Sequence, residues 1–138
     1  MGMMEWWKSL AGLVGRILLV LIFLNSGIGK IGKFDMTAQY MARFGISYPN
    51  FFLLGSIVFE LLGSLSVVLG CYTRLGAVLL ILFLIPTTLI FHTNFADPLQ
   101  MVQFMKNLSM LGGCLVLLGM GPGDWSLDTL FRDRKRRR

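Results

Sequence analysis

The chain is a succession of long apolar segments separated by short polar ones, and four of these segments are long enough to cross a bilayer. A transmembrane helix needs about 20 predominantly apolar residues. We predict spans over residues 10–29, 51–69, 75–91 and 99–120, of which the last has an amphipathic first half. The predicted fold class is therefore all-α, an integral membrane four-helix bundle with antiparallel neighbours, and residues 1–128 form its transmembrane domain.

Proline, glycine and capping residues mark several of the predicted helix ends. Pro49 suits the first turn of the second span, and Asp97 before Pro98 suits the N-cap of the fourth. The Gly-Pro-Gly sequence at 121–123 stops that helix. The turn at residues 70–74 is so short that the second and third spans must be antiparallel neighbours.

The segments outside the spans have different expected structures. In the link of residues 30–49, large apolar side chains at roughly helical spacing predict a short helix in the membrane interface; they are Phe34, Met36, Tyr40, Met41 and Phe44. The basic tail, residues 129–138, is expected to be cytoplasmic, and its residues 132–138 are expected to be disordered. A cleaved signal peptide is the alternative for the N-terminus. Its apolar run is too long, contains Arg16 and lacks a small-residue cleavage site, so we interpret it as a retained anchor.

Composition agrees with a membrane protein and argues against nucleic-acid binding. Of the 138 residues, 55% are hydrophobic and only 14% are charged, with a mean hydropathy of +0.70. The net charge is +6, but six of the 13 Lys and Arg residues lie in residues 132–138. Nucleic-acid binding requires a basic surface on a folded domain. A basic tail directly after an apolar span instead fits anionic lipid and membrane topology.

The distribution of basic residues predicts the orientation. Four spans place both termini on one side of the membrane, together with Lys8, Arg74 and the six basic residues of the tail. The other side carries Lys30, Lys33, Arg43 and Lys106. The positive-inside rule then places the N- and C-termini in the cytoplasm, for a multi-pass protein of the cell inner membrane.

Ionisable residues inside a span are costly in lipid, so each requires a partner or a function. Five of them lie within the spans or at their ends: Arg16, Lys30, Glu60, His92 and Lys106. Arg16 and Glu60 lie at similar depths. This predicts a buried Arg16–Glu60 ion pair between the first two spans, with Lys106 as the alternative partner of Glu60. Arg16 could instead extend to the headgroups, and Lys30 could anchor its helix at the interface.

Five polar residues from three spans share one depth near the side away from the termini, and they are Asn25, Lys30, His92, Lys106 and Asn107. If their helix faces point inward, they form a polar mouth over an apolar interior that includes Phe23 and Met110. Small-molecule pockets usually have this form. A quinone headgroup, with two carbonyl acceptors, and a lipid phosphate both suit these donors. The alternative is that the five residues bond only helix ends and headgroup water.

Metal and disulfide chemistry are not expected in this chain. Cys71 and Cys114 lie far apart and outside any CxxC motif, so we predict two unpaired thiols and no zinc site. His92 is the single histidine, which argues against haem or non-haem iron ligation within the chain. We therefore expect no cofactor in the chain itself and keep a quinone as the candidate ligand.

A series of motifs, taken in this order and spacing, resembles the DoxX family of small membrane proteins. They are GRILL at 15–19, FLNSGIGK at 23–30, ELLG at 60–63, TRLGA at 73–77, TLIFH at 88–92, FMKNL at 104–108 and GPG at 121–123. The resemblance spans nearly the whole chain. Ser64 departs from it, because a second glycine is common at that position in the family.

The resemblance implies a four-helix inner-membrane protein and favours a function in redox chemistry. Some members of the family are subunits of membrane oxidoreductases that pass electrons to quinone, and others act in thiol and oxidative-stress responses. The first hypothesis is thus an accessory membrane subunit, bound to oxidoreductase subunits or to copies of itself. The alternatives are a structural or assembly protein without catalysis, and a small proton-coupled transporter that uses Glu60.

Reporter proteins fused after Arg138 test the predicted orientation. A cytoplasm-specific reporter should be active there and a periplasm-specific reporter inactive, because the basic tail holds the C-terminus in the cytoplasm. The same two reporters inserted at Gly45, in the link, should give the opposite pattern. Activity of the periplasmic reporter at the C-terminus would overturn the orientation.

Overall fold

Within residues 2–137 the chain forms six helices, and four of them are long and apolar enough to cross a membrane. The computed structural model describes residues 2–137, which contain no strand. The helices are α1 (Met3–Gly32), α2 (Phe34–Arg43), α3 (Pro49–Leu69), α4 (Thr73–Phe91), α5 (Pro98–Met120) and α6 (Leu127–Arg136). The candidate spans are α1, α3, α4 and α5. This confirms the predicted all-α membrane bundle, with α1 longer than the apolar run that predicted it.

The helix ends lie where proline, glycine and aspartate predicted them. Pro49 is the first residue of α3, and the Asp97 side chain accepts a hydrogen bond from the Leu99 N–H at the start of α5. Gly121 follows the last residue of α5. Gly70 ends α3 with φ of 65°, a left-handed conformation that favours glycine.

The bundle is a row of neighbours in which α3 packs against α1 and α4, and α4 packs against α5. Its core is an apolar cluster from all four spans: Val20, Phe23, Val67, Leu80, Leu84 and Cys114. The α3–α4 contact is close, because a Cβ atom on Gly63 would lie 3.0 Å from the Gly76 carbonyl oxygen. Small residues permit such close approach of helices in membranes.

The link between the first two spans contains the predicted helix, α2. Ala38 and Met41 on its inner face are buried against Leu53 and Ile57 of α3. On the same helix, Tyr40 stacks on the Phe91 ring with 5.7 Å between the ring centroids. The helix α2 is therefore a wall of the bundle at the end away from the termini.

At the end that carries both termini, Arg16 connects three segments of the chain. Its side chain is 1% exposed. It donates hydrogen bonds to the carbonyls of Val67 (3.2 Å) and Val68 (3.4 Å) at the end of α3, and to the Trp125 carbonyl after α5. The last four carbonyls of a helix lack partners within the helix, so α3 offers Arg16 acceptors where it ends.

The segment expected to be disordered, residues 132–138, is helical through Arg136 as the second half of α6, while Arg138 lies outside the described residues. The hydroxyl of Ser126 caps its first turn. The carboxylate of Asp128 accepts hydrogen bonds from the Tyr72 N–H (2.7 Å), the Thr73 N–H (2.9 Å) and the Thr73 hydroxyl (2.8 Å). The prediction of disorder is wrong because these bonds attach the beginning of α6 to the beginning of α4.

Asp128 has a lowered pKa in this position. Burial alone would raise it, but the hydrogen bonds from Thr73 and Tyr72 and the nearby charge of Arg16 favour the ionised carboxylate more strongly. A carboxylate with a depressed pKa in the folded state stabilises the fold above its unfolded pKa. That stabilisation is lost as the pH falls through the folded pKa.

The substitution Asp128→Asn tests this attachment. At pH 7 it should lower the free energy of unfolding by about 1–2 kcal/mol, because an amide replaces a charged acceptor of three hydrogen bonds. Thermal unfolding in detergent measures the loss. The difference in stability between the variant and the native protein should become smaller below about pH 4. Asp133→Asn, at an exposed position of α6, is the matched control. An equal loss of stability in both variants would contradict the role of Asp128.

Candidate functional site

A cavity of about 270 Å³ lies between the helices at the end of the bundle away from the termini. Five helices, α1 to α5, contribute to its wall. Its apolar lining includes Ile22, Phe23, Leu53, Phe83, Leu84, Phe91 and Met110. Its polar lining includes Ser26, Lys30, Glu60, His92, Lys106 and Asn107. The cavity is thus mainly apolar, with a few polar groups that converge on it.

Lys30 and Glu60 form an ion pair in the cavity wall, with 2.5 Å between Nζ and Oε2. Lys30 also donates a hydrogen bond of 2.8 Å to the Ser26 hydroxyl, and its Nζ lies 4.6 Å from the centroid of the Phe83 ring. The Glu60 side chain is fully buried, whereas 21% of the Lys30 side chain is exposed. The ammonium group is therefore the part of the pair that a molecule in the cavity would meet.

The predicted partners of Glu60, Arg16 and the alternative Lys106, are wrong. Arg16 lies toward the terminal end and bonds carbonyl oxygens there. Side chains on a helix tilt toward its N-terminus, so Lys30 extends back from the end of α1 to Ser26 and Glu60. Lys30 consequently faces the bundle interior and does not anchor α1 at the interface.

Close contact between α1 and α3 places the two charges together. A Cβ atom on Gly27 would lie 2.9 Å from a methyl carbon of Leu61 and 3.5 Å from the Glu60 Cβ. Gly27 therefore lets α3 approach α1 one helical turn before Lys30. The sequence signal for the pair is the spacing of Gly27 and Lys30 on one face of α1.

His92, Asn107 and Lys106 line the same cavity from α5 and the end of α4. The His92 Nδ1 lies 2.9 Å from the Gln100 Oε1, and the Asn107 Nδ2 donates to the Thr88 hydroxyl at 3.0 Å. Lys106 is exposed and donates to the Gln103 side chain. Each group is therefore oriented by a neighbour, and the structure brings these three residues to one site with Lys30.

Asn25 is the one residue of the predicted set that the structure places elsewhere. Its side chain is on the exposed side of α1 and does not line the cavity. Phe23, Ser26 and Lys30 follow the three-to-four spacing of the inner face, and Asn25 falls between them on another face. The prediction was wrong because equal depth in the membrane does not imply a common helix face.

Two buried polar atoms of α3 have no hydrogen-bond partner among the described residues: the Oε1 of Glu60 and the hydroxyl of Ser64. They lie four positions apart on one face of the helix. A buried acceptor without a donor is costly.

Ser26 is a residue of the site that the sequence pattern did not single out. It orients Lys30, and its position four residues before Lys30 on α1 is the signal that could have identified it.

Replacing the two charges singly and together tests the pair. Lys30→Met should lower the free energy of unfolding by about 3–5 kcal/mol, because it leaves Glu60 buried and unpaired. Glu60→Gln should cost less, since Lys30 is partly exposed. The double variant should unfold at a higher temperature in detergent than Lys30→Met alone. Lys33→Met, at an exposed position near the end of α1, is the control; additive losses in the double variant would contradict the pairing.

Comparison of the sequence with known proteins identifies its family. The family model described as DoxX matches residues 11–93, which include Lys30, Glu60 and His92. The chain is 39% identical over 122 residues to "Inner membrane protein YqjF" of Escherichia coli (strain K12), covering 88% of this chain and 92% of that protein.

Two further relatives agree with this match. "Inner membrane protein YphA" of Escherichia coli is 40% identical over 121 residues, covering 84% of this chain and 86% of that protein. "Uncharacterized membrane protein Rv3486" of Mycobacterium tuberculosis is 33% identical over 130 residues, covering 86% of this chain and 80% of that protein. No solved structure gives a significant match. With four helices that could span a membrane, the chain is a multi-pass membrane protein that belongs to the DoxX family.

Proposed function

We propose that this protein binds the headgroup of a lipid-soluble quinone in the cavity, as an accessory subunit of a membrane redox system. One observation carries the proposal: an apolar cavity inside a membrane bundle presents the Lys30 ammonium, together with His92 and Lys106, at one end. Concave apolar sites with a few convergent polar groups are the usual form of small-molecule pockets.

The size and lining of the cavity suit a single-ring headgroup. Its volume of about 270 Å³ is close to the lower limit of ligand pockets, which occupy about 300–1,000 Å³. A planar ring can pack against Phe83 or Phe91, which both line the wall. Lys30 and Lys106 can each donate a hydrogen bond to a quinone carbonyl.

The charge of the site favours a neutral headgroup over a lipid phosphate. Glu60 neutralises Lys30 at 2.5 Å, so only the exposed Lys106 adds a net positive charge to the lining. Bringing a phosphate into an apolar cavity is costly unless its charge is paired. A quinone carries no charge and needs only donors, which the paired Lys30 still provides.

The role proposed for this chain is to bind and orient the quinone. The oxidation or reduction of the quinone then belongs to a partner oxidoreductase subunit in the membrane. Within the bundle, Ser26 and Glu60 hold the ammonium of Lys30, and Gln100 holds the ring of His92. Preorganised groups of this kind lower the cost of binding, because they need no reordering when the ligand arrives.

Quinone retention on purification tests the proposal. The native protein, purified in mild detergent from its membrane, should carry a quinone measurable by chromatography of the extract. Lys106→Ala and His92→Ala should each lower the retained amount about tenfold, since one lost hydrogen bond to a charged or polar donor costs about 1.4 kcal/mol.

Asn25→Ala is the matched control, because it removes a polar side chain of α1 that lies outside the cavity. It should retain as much quinone as the native protein. Equal retention in all four proteins would contradict binding in this cavity. A native protein without quinone would leave the Lys30–Glu60 pair with a structural role only.

A further inference from the structure

The two end members of the helix row, α1 and α5, close against each other on the terminal side of the cavity. Each packs mainly against its neighbour in the row, α3 or α4. They meet at Leu19 and Gly113, where a Cβ atom on the glycine would lie 3.0 Å from a methyl carbon of the leucine. Farther from the termini, Ile22 of α1 and Met110 and Lys106 of α5 line the cavity. The cavity therefore extends between α1 and α5 there, and we call this part the α1–α5 crevice.

The cavity wall is open at the α1–α5 crevice. Tyr40 and Lys106 both line the cavity and are exposed, which marks an opening at each of them. Tyr40 belongs to α2, beyond the end of the first span, and it stacks on Phe91. Lys106 lies eight residues after Pro98, so its Cα is about 12 Å along the candidate span α5. The opening at Lys106 therefore lies at a depth where lipid surrounds the protein.

The charge of Lys106 is directed away from the middle of the membrane. Side chains on a helix tilt toward its N-terminus, and the Lys106 ammonium donates to the Gln103 side chain, three residues closer to the start of α5. Its methylene groups then cover the crevice while its charge lies nearer the headgroups. On the terminal side of Lys106, the two sides of the crevice are the partly buried Ile22 and Met110. An apolar chain can occupy this part without burying a charge.

The size of the cavity requires that most of a lipid-soluble quinone lies outside it. Its volume of about 270 Å³ is at the lower limit of ligand pockets, which occupy about 300–1,000 Å³. The cavity can hold a single ring, but not a chain of several isoprene units as well. A chain that left past Tyr40 would enter headgroups or water, which is unfavourable for apolar surface. The α1–α5 crevice leads instead to the acyl chains.

We propose that the α1–α5 crevice is the passage by which the isoprenoid tail of the quinone leaves the cavity for the lipid, with Ile22 and Met110 as its two sides. The inference rests on the proposed function, to which it adds the position of the tail and the route of entry. With the ring beside Lys30, the first isoprene units pass Ile22 and Met110, and the rest of the tail lies among the acyl chains. The quinone enters sideways and never leaves the membrane.

Two benzoquinones with the same ring, one with a decyl tail and one without a tail, test the passage on the full-length protein in lipid nanodiscs. The variant Ile22→Trp/Met110→Trp narrows the crevice. It should bind the tailed quinone at least about tenfold more weakly than the native protein does, because the tail loses its apolar contacts in the passage. Its affinity for the tailless quinone should stay within about threefold of the native value, since the contacts of the ring remain. Isothermal titration calorimetry, corrected with empty nanodiscs, gives each dissociation constant.

Leu21→Trp/Leu108→Trp is the matched control, because it adds the same bulk to α1 and α5 at exposed positions outside the cavity lining. Both of its affinities should stay within about threefold of the native values, and partition of the tail into lipid is the same in all samples. An equal loss of the tailed quinone in the two variants would overturn the passage. A loss of both quinones in Ile22→Trp/Met110→Trp would overturn it too, since these side chains would then belong to the site of the ring.

The tailless quinone distinguishes a failure of this inference from a failure of the proposed function. If the native protein binds neither quinone, the proposed function is wrong and the passage with it. If it binds both and the crevice variant binds the tailed quinone equally well, the proposed function stands and the passage is wrong. Should Ile22→Trp/Met110→Trp unfold at a lower temperature than the native protein, Met110→Phe with the control Leu108→Phe decides. The loss should again be confined to the tailed quinone and to Met110→Phe, and any other pattern counts against the passage.

Discussion

The buried guanidinium of Arg16 is the constraint on which the terminal half of the structure depends. A charge in the membrane interior is tolerated only where its donors find acceptors. Arg16 finds them in the free carbonyls at the end of α3 and in the carbonyl of Trp125. The negative end of the α3 dipole adds a favourable field. Gly70 is needed twice at this point: its φ is 65°, and a Cβ there would collide with Arg16 and Ser126.

A second contact, made by Lys30, joins the same two helices farther from the termini. Arg16 fixes α1 to the end of α3 near the termini, and Lys30 fixes it to Glu60 nearer the opposite end. Gly27 brings the helices together between these two points. With α1 and α3 held at two depths, the cavity has one well-defined wall. Its other wall is ordered by the Asn107–Thr88 bond between α5 and α4.

The spans could be predicted because a helix that crosses lipid needs a long run of apolar residues. Twenty apolar residues, a proline at a first turn and a glycine at a last one are local signals, and the residues that carry them, such as Pro49 and Gly121, lie where expected. The polar contacts were harder. Arg16 bonds backbone carbonyls. Because every residue has a carbonyl, the sequence contains no signal for which of them accept these bonds. Lys30 reaches a full turn back along α1, so a comparison of depths selected the wrong cation for Glu60.

The two ends of the bundle pair positive charge with different acceptors, and this bears on what the cavity can bind. In the cavity, Glu60 cancels the charge of Lys30 but leaves its ammonium able to donate. A molecule there meets hydrogen-bond donors in an apolar space with little net charge. At the terminal end, Arg16 bonds backbone carbonyls and not a carboxylate. Since a fold alone does not specify a function, the pairing of Lys30 with Glu60 is the physical basis for expecting a neutral headgroup in the cavity.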